Sequence, residues 1–263
     1  MNETTCSIAV IRGDGIGVDV TNATLAVIDA ARGKTGGFRL ECEDLTAGAA
    51  YFKESGLDMA PGHEDASAKA DAILLGAIGL PAVRHADGTE ISPHLRMRDR
   101  FQLFAGVRPV KAYPNTPRRL ADPRAADIDL VILRESTEGL FYTAAATGRE
   151  IVATDDEVQD ILRITRPTSE KLFDFAFRLA EKRKARGKKG IVTCVDKANV
   201  FRSMAFFRKI FDERKAAFSD IGVSYNYVDA QALDLIRRPW DFDVLVMENM
   251  FGDILSDLAG GLV

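Results

Sequence analysis

The chain has 263 residues, 46% hydrophobic and 28% charged, with a formal net charge of −4, enough for one large or two modest domains with a sizeable core. The nearly balanced charge lacks the basic footprint of a nucleic-acid binder, and the longest apolar run, 72–83, is broken by glycines and a proline and is too short to span a bilayer. Residues 1–7 lack the basic and apolar regions of a signal peptide, and Cys6, Cys42 and Cys194 are scattered without C-x-x-C spacing, which predicts packed cysteines in a reducing cytoplasm.

The segment IAVIRGDGIGVDV, residues 8–20, reads as a strand, a glycine turn and the start of a helix. Gly13, Gly15 and Gly17 are spaced G-x-G-x-G, whereas a dinucleotide phosphate turn needs G-x-G-x-x-G at the head of a helix. A tight βα turn is therefore expected, not a phosphate loop. Further along, β-rich runs alternate with amphipathic helices, the pattern of a sheet covered by helices. Strands are expected at 7–11, 38–44, 71–76, 106–111, 128–134, 190–195, 223–229 and 242–247. Helices are expected near 18–31, 168–186, 201–217 and 252–260. In the helix near 168–186, Leu172, Phe175, Ala176 and Leu179 have core-facing spacing. Its basic tail, EKRKARGKKG, reads as a solvated C-terminal turn favoured by the helix dipole. Between Arg134 and Thr168 two short β-prone pieces around Thr147-Gly148 suggest a hairpin excursion with little core of its own, suited to packing on a second subunit.

Three stretches carry chemistry. In NMFGDILSDLAGG, Asp253 and Asp257 are four residues apart and project from one helix face. Such a pair repels unless a cation compensates, and hard oxygen ligands favour Mg²⁺ or Mn²⁺ over zinc. A solvated acidic face explains the spacing equally well. In VTCVDKANVFRSM, Lys197 stands at the end of a buried-looking strand, where desolvation moves an amine in the direction a general base requires; an ordinary surface lysine is the alternative. Arg96, Arg98, Arg100, Arg108 and Arg134 lie at or near strand ends, and guanidinium forks suit a substrate with several carboxylates. Any one of them is explained by a surface ion pair; the set is harder to explain that way.

The motifs GDGIG, LFAGVRPV, RESTEG, VDKANV and FGDILSD occur here in the order found in the β-decarboxylating dehydrogenases. From Ile8 to its last residue the chain resembles that family, which includes 3-isopropylmalate, isocitrate, homoisocitrate and tartrate/D-malate dehydrogenases. The resemblance implies an α/β fold of the isopropylmalate/isocitrate dehydrogenase type, with two domains, mixed sheets and a central cleft, and not the usual Rossmann one. It places residues 1–103 plus 255–263 in a first, cofactor-side domain, and 104–254 in a second with the substrate and metal residues and a dimer arm at about 140–155. In it GDGIG is a βα turn at the cleft edge. The main adenine loop, with the residues that separate NAD from NADP, lies beyond Val263. Family members continue for roughly another 80–100 residues, a length that fits two full domains, so the resemblance implies a C-terminally truncated chain.

Residue by residue, Arg98, Arg108 and Arg134 resemble the arginines that hold the substrate carboxylates, Arg98 rather than Arg96 because it keeps the ten-residue interval to Arg108. Ser92 stands in the substrate-selecting segment GTEISPHLRMR. Lys197 resembles the base acting on the 2-hydroxyl. Asp253 and Asp257 resemble ligands of Mg²⁺ or Mn²⁺, with Asp229 matching the aspartate contributed across a homodimer. The family's tyrosine, seven residues after the RE arginine, is replaced by Phe141, and Tyr142 follows it; in an extended segment Tyr142 would point to the opposite face. The implied activity is NAD-dependent oxidative decarboxylation of a 3-substituted (R)-malate. VDKANV leans towards 3-isopropylmalate, since isocitrate types commonly have histidine where Asp196 stands. Ser92 leans towards isocitrate, D-malate or tartrate, and the missing loop with Phe141 leaves a non-catalytic dimeric scaffold as the alternative of another class.

Overall fold

The computed structural model describes residues 4–145, 149 and 152–263. The chain divides into two compact units, Met1–Phe101 and Gln102–Val263.

In the first unit β1 (Thr4–Gly13) leads through the glycine turn into α1 (Ile16–Thr35), followed by β2 (Phe38–Asp44), α2 (Ala49–Ser55), α3 (His63–Lys69), β3 (Ala72–Ala77) and α4 (Pro93–Arg100). The sheet is parallel with β1 in the centre, Val10 aligned with Asp44 on one side and Leu74 on the other. Its core is built from Ala9, Ile11, Leu45, Met59 and Met97.

The second unit continues with β4 (Ala105–Lys111), β5 (Asp129–Glu135), α5 (Phe141–Ala144), β6 (Val152–Ala153), β7 (Val158–Gln159), α6 (Arg166–Lys184) and β8 (Ile191–Asp196). After these come α7 (Arg202–Lys215), β9 (Gly222–Tyr227), α8 (Val228–Arg237), β10 (Val244–Met247) and α9 (Asn249–Gly260). Its main sheet has the order β4-β5-β10-β8-β9, with β4 antiparallel and the others parallel. The central strands are unbroken apolar runs because helices bury both faces. On one face α6 and α7 supply Leu172, Phe173, Phe177, Phe207 and Phe211; on the other, α8 and α9 supply Leu235, Leu255 and Ala259. The carboxyl ends of β5, β10 and β8 open on one edge of this sheet, the edge where such folds place their chemistry. No helix among the described residues is long and apolar enough to cross a membrane.

Several expectations need correction. Leu255, Ala259 and Leu262 pack in the core of the second unit, so 255–263 stays with that unit instead of rejoining the first. The strand expected to reach Asp229 stops at Tyr227, and Val228 begins α8, whose Gln231 and Leu235 are buried. The core face of α6 includes Phe173 and Phe177, while Phe175 is 37% exposed and meets Phe104 edge-on. The tail of α6 is not simply solvated, because Arg183 bridges Asp129 and the buried Asp243. The turn expected at Thr147-Gly148 lies outside the described residues. A short hairpin is present further on, pairing β6 with β7, and residues 141–144, expected to be extended, form a helical turn.

Candidate active site

The glycine turn does not form a phosphate cradle. Asp14, 4% exposed, accepts the amides of Ala49 and Ala50 at 2.7 and 2.8 Å and that of Gly79 at 2.9 Å. A carboxylate thus occupies the donors that an anionic ligand would need. The glycines serve close packing: a Cβ on Gly17 would lie 2.5 Å from the Arg12 carbonyl and 2.6 Å from the Ala77 amide nitrogen. These residues do not fit a nucleotide pyrophosphate, as the irregular spacing anticipates.

In the first unit, α4 starts after Ser92, whose side chain makes no capping bond. Arg96 is committed to Asp58 and Glu64, and Arg100 to Glu64 and Asp65. Arg98 lies half-buried on the same helix.

In the second unit, Arg134 is the last-but-one residue of β5 and only 3% exposed. Its Nε donates to Asn249 Oδ1 at 2.8 Å, its Nη1 pairs with Asp253, and the Phe141 ring lies 4.8 Å from the guanidinium carbon. Arg108 on β4 is opposite Ile132, and Gly106 is opposite Arg134. Directly opposed residues share a face, and so do residues two apart. Arg108 and Arg134 therefore project from the same side of the sheet, the side on which α9 packs. Gly106 keeps that approach close, since a Cβ there would lie 2.8 Å from Ser136 Oγ.

The loop after β5 is pinned by buried glutamates. Glu135 accepts the amides of Thr137 and Glu138 at 2.7 Å each, and Glu138 accepts the amide and hydroxyl of Thr165 at the head of α6. Glu248 accepts the Met250 and Phe251 amides as the N-cap of α9, and Asn249 Nδ2 donates to the Glu138 carbonyl at 2.9 Å. Burial pushes the Glu135 and Glu248 carboxyls above the usual range, against hydrogen bonds that favour the carboxylate. Asn249, fully buried, thus ties Arg134 to both the loop and the helix that carries Asp253 and Asp257. Sequence reasoning missed Glu248 and Asn249. The only local signal was a polar pair just before an apolar helix, the pattern of an N-cap.

Lys197 follows β8 and pairs with Asp229 in the first turn of α8. The lysine hydrogen bond holds the Asp229 carboxyl below its ordinary range. The structure thus brings the expected residues together in two pairs of its own, Arg134 with Asp253 at the ends of β5 and β10, and Lys197 with Asp229 at the ends of β8 and β9. Asp257 is exposed on α9. Among the described residues no three His, Cys, Asp or Glu side chains lie close enough to hold a metal, so Asp229 does not join Asp253 and Asp257 within one chain. Two carboxylates on one helix face do fit Mg²⁺ or Mn²⁺, which commonly take one or two protein carboxylates and complete their shell with water and substrate oxygens.

Tyr142 does not share the surroundings of Phe141. Its ring lies between the guanidinium carbons of Arg149 and Arg163, at 4.3 and 4.6 Å.

The sequence profile described as isocitrate/isopropylmalate dehydrogenase matches residues 7–263. The chain is 37% identical over 257 residues to 3-isopropylmalate dehydrogenase of Heyndrickxia coagulans, covering 96% of this chain and 68% of the relative. It is also 37% identical over 257 residues to a 3-isopropylmalate/3-methylmalate dehydrogenase of Methanocaldococcus jannaschii, covering 97% and 70%. Among solved structures, isocitrate dehydrogenase from Methylococcus capsulatus superposes with a TM-score of 0.80 at 31% identity, covering 98% of this chain and 70% of that one. A β-decarboxylating dehydrogenase from Thermococcus kodakarensis, in its apo form, gives 0.71 at 32%, covering 98% and 68%. The motifs, the sheet order and these likenesses agree: the chain belongs to the isocitrate/isopropylmalate dehydrogenase family.

Proposed function

We propose that the protein takes part in NAD-dependent oxidative decarboxylation of a 3-substituted (R)-malate, with 3-isopropylmalate as the favoured substrate. The observation that carries this reading is the arrangement at the carboxyl edge of the second sheet. There a buried Arg134, fixed by Asn249 and Asp253, shares a face with Arg108, and Lys197 with Asp229 stands at the neighbouring strand ends.

Arg108 and Arg134 bind the substrate carboxylates as charge-assisted forks; Arg98 and Ser92, in the first unit, are assigned to substrate binding by their motif positions alone. The Lys197 amine takes the proton of the 2-hydroxyl as hydride leaves C2, which makes the β-keto acid. When CO₂ departs, the electron pair left on C3 must receive a proton, and Tyr142 is the phenol nearest in sequence for that task. NAD supplies the hydride acceptor; no described residue is assigned to it. Asp253 and Asp257, with Asp229 of the partner subunit, would hold a divalent ion, which would supply stabilisation of the negative charge that develops on oxygen. Binding at Asp253 competes with its ion pair to Arg134.

The test is NADH formation by intact protein with Mn²⁺ and a panel of 3-isopropyl-, 3-methyl- and unsubstituted malate, tartrate and isocitrate. A turnover confined to isocitrate, D-malate or tartrate would favour the reading from Ser92, and no turnover with any of them would favour the scaffold. Asp257→Asn should weaken Mn²⁺ binding, measured by calorimetry, by more than the ~10–100-fold typical of residues behind the ligands. Equal affinity in parent and variant would remove α9 from the metal site.

Tyr142→Phe removes one hydroxyl and keeps the ring between Arg149 and Arg163. Keto acid should then accumulate while NADH forms at the parental rate. Equal yields of NADH and CO₂ in the variant would assign the proton to water or another group.

A symmetric homodimer completes the proposal. Val158 of the hairpin is 71% exposed, and Leu233 and Ile236 of α8 and Ile254 of α9 are 48, 49 and 59% exposed, which is apolar surface suited to a self-complementary interface. Sedimentation equilibrium is expected to give a dimer mass at micromolar concentration; an active monomer would rule out a site shared through Asp229.

A further inference from the structure

Directly before Lys197 lies a buried ion pair that the proposed chemistry does not use. Asp196 is fully buried. Its two oxygens accept Nε and Nη2 of Arg208 from α7 at 2.7 and 2.8 Å, and Oδ1 also accepts the Ala198 amide at 2.8 Å. The Ala198 bond closes a turn over Lys197, whose own carbonyl accepts the Val200 and Phe201 amides at 3.0 and 3.1 Å. The backbone of Lys197 is thereby held from both sides, while its side chain remains 25% exposed.

The guanidinium that anchors this turn is itself held in an aromatic slot. The Tyr225 and Tyr227 rings of β9 lie 5.3 and 5.2 Å from the Arg208 guanidinium carbon. Tyr225 is tethered in turn by its hydroxyl, which donates to Asp212 of α7. Tyr227 also meets the Lys197 ammonium, 5.9 Å from the ring centroid, and stands two residues before Asp229. One ring therefore touches both the anchor of the lysine turn and the lysine itself. A planar fork matches the Asp196 carboxylate and the flanking rings in a way an ammonium cannot. An ion pair kept only for stability would have no need to share its aromatic neighbour with the adjacent lysine.

We propose that Arg208 and Tyr227 are positioning residues for Lys197, acting through the Asp196 turn and the shared tyrosine face. The proposal rests on the reading of Lys197 as the base. Removing the ring should leave the lysine present but misplaced, a fault that lowers turnover by up to ~100-fold while leaving substrate binding nearly intact.

The experiment compares Tyr227→Leu, Tyr227→Phe and Arg208→Lys in the intact protein, with Lys197→Ala alongside. Tyr227 is 37% exposed and Arg208→Lys keeps a cation beside Asp196, so neither change strands a buried carboxylate without a charge partner. Tyr227→Leu and Arg208→Lys are expected to lower kcat about 10- to 100-fold with KM within about threefold of the parent. Tyr227→Phe, which keeps the ring, should restore parental kcat. Parental kcat in the folded Tyr227→Leu or Arg208→Lys protein, or a loss confined to KM, overturns the proposal.

A second measurement does not need turnover. Acetic anhydride labelling read by mass spectrometry should change several-fold at Lys197 in Tyr227→Leu, relative to Lys209 in the same protein, and not in Tyr227→Phe. Parental turnover in Lys197→Ala would sink the base reading, and the labelling ratio then decides the placement by itself: an unchanged ratio means that the slot does not position Lys197.

Discussion

Lys197→Ala is expected to reduce NADH formation at least ~100-fold, the scale on which general-base removal acts, with the fold unchanged. The residue follows β8, and its ammonium pairs with the exposed carboxylate of Asp229 and lies over the Tyr227 ring, so truncation leaves no buried charge behind in either partner. The turn that carries it is closed by Asp196 and by backbone bonds, which alanine retains. The loss should therefore appear in kcat, with a circular-dichroism melt like that of the parent. Rescue by a small primary amine in the assay would support the assignment. A folded variant with parental turnover would falsify the base reading and return Lys197 to an ordinary ion pair.

Gly252→Ala should do comparable damage by a different route. Gly252 is buried on the face of α9 that packs on β5, and an added Cβ would lie 2.6 Å from Arg134 Cβ and 2.9 Å from its Cα. Alanine favours a helix interior by ~1 kcal/mol over glycine, but the contact is with the backbone of a buried strand that cannot yield cheaply. Overpacking of this kind costs about 1–3 kcal/mol, so the destabilising effect is expected to win. The displaced helix also carries Asn249 and Asp253 away from the Arg134 guanidinium, so KM for the substrate should rise with the fall in Tm. Gly260→Ala is the matched control, because nothing lies within 4 Å of that position; it should leave Tm unchanged or raise it. If Gly252→Ala melts and binds like the parent, α9 is free to shift on β5 and the fixed geometry of Arg134 is not required.

The sequence by itself determined the strands at the centre of each sheet. In LVIL of β5 and VLVM of β10 burial on both faces demands continuous apolar residues, and a run of that kind is visible without knowing its neighbours. It also supplied the candidate site residues, because Asp253 with Asp257 is a local spacing and the motif order is a property of the chain alone. Partners were decided by the tertiary structure. Arg134 finds Asp253 and Asn249 more than a hundred positions along the chain only because β10 lies beside β5. Lys197 meets Asp229 because β9 lies beside β8, and the same pairing brings Tyr227 to Arg208.

The places where the sequence misled have the same origin. Tyr-Asn-Tyr-Val is β-prone, yet Val228 begins a helix, since burial of Gln231 and Leu235 against the sheet outweighs local preference. On α6, helical spacing allowed either Phe175 or Phe173 and Phe177 as the core face. The packing of α7, through Phe207 and Phe211, selected the latter. Phe141 and Tyr142 are adjacent in sequence, but a helical turn sends one ring to Arg134 and the other between Arg149 and Arg163. Periodicity reports which residues seek the interior; it carries no information about which strand or helix will be waiting there, and that choice sets the ion pairs of this site.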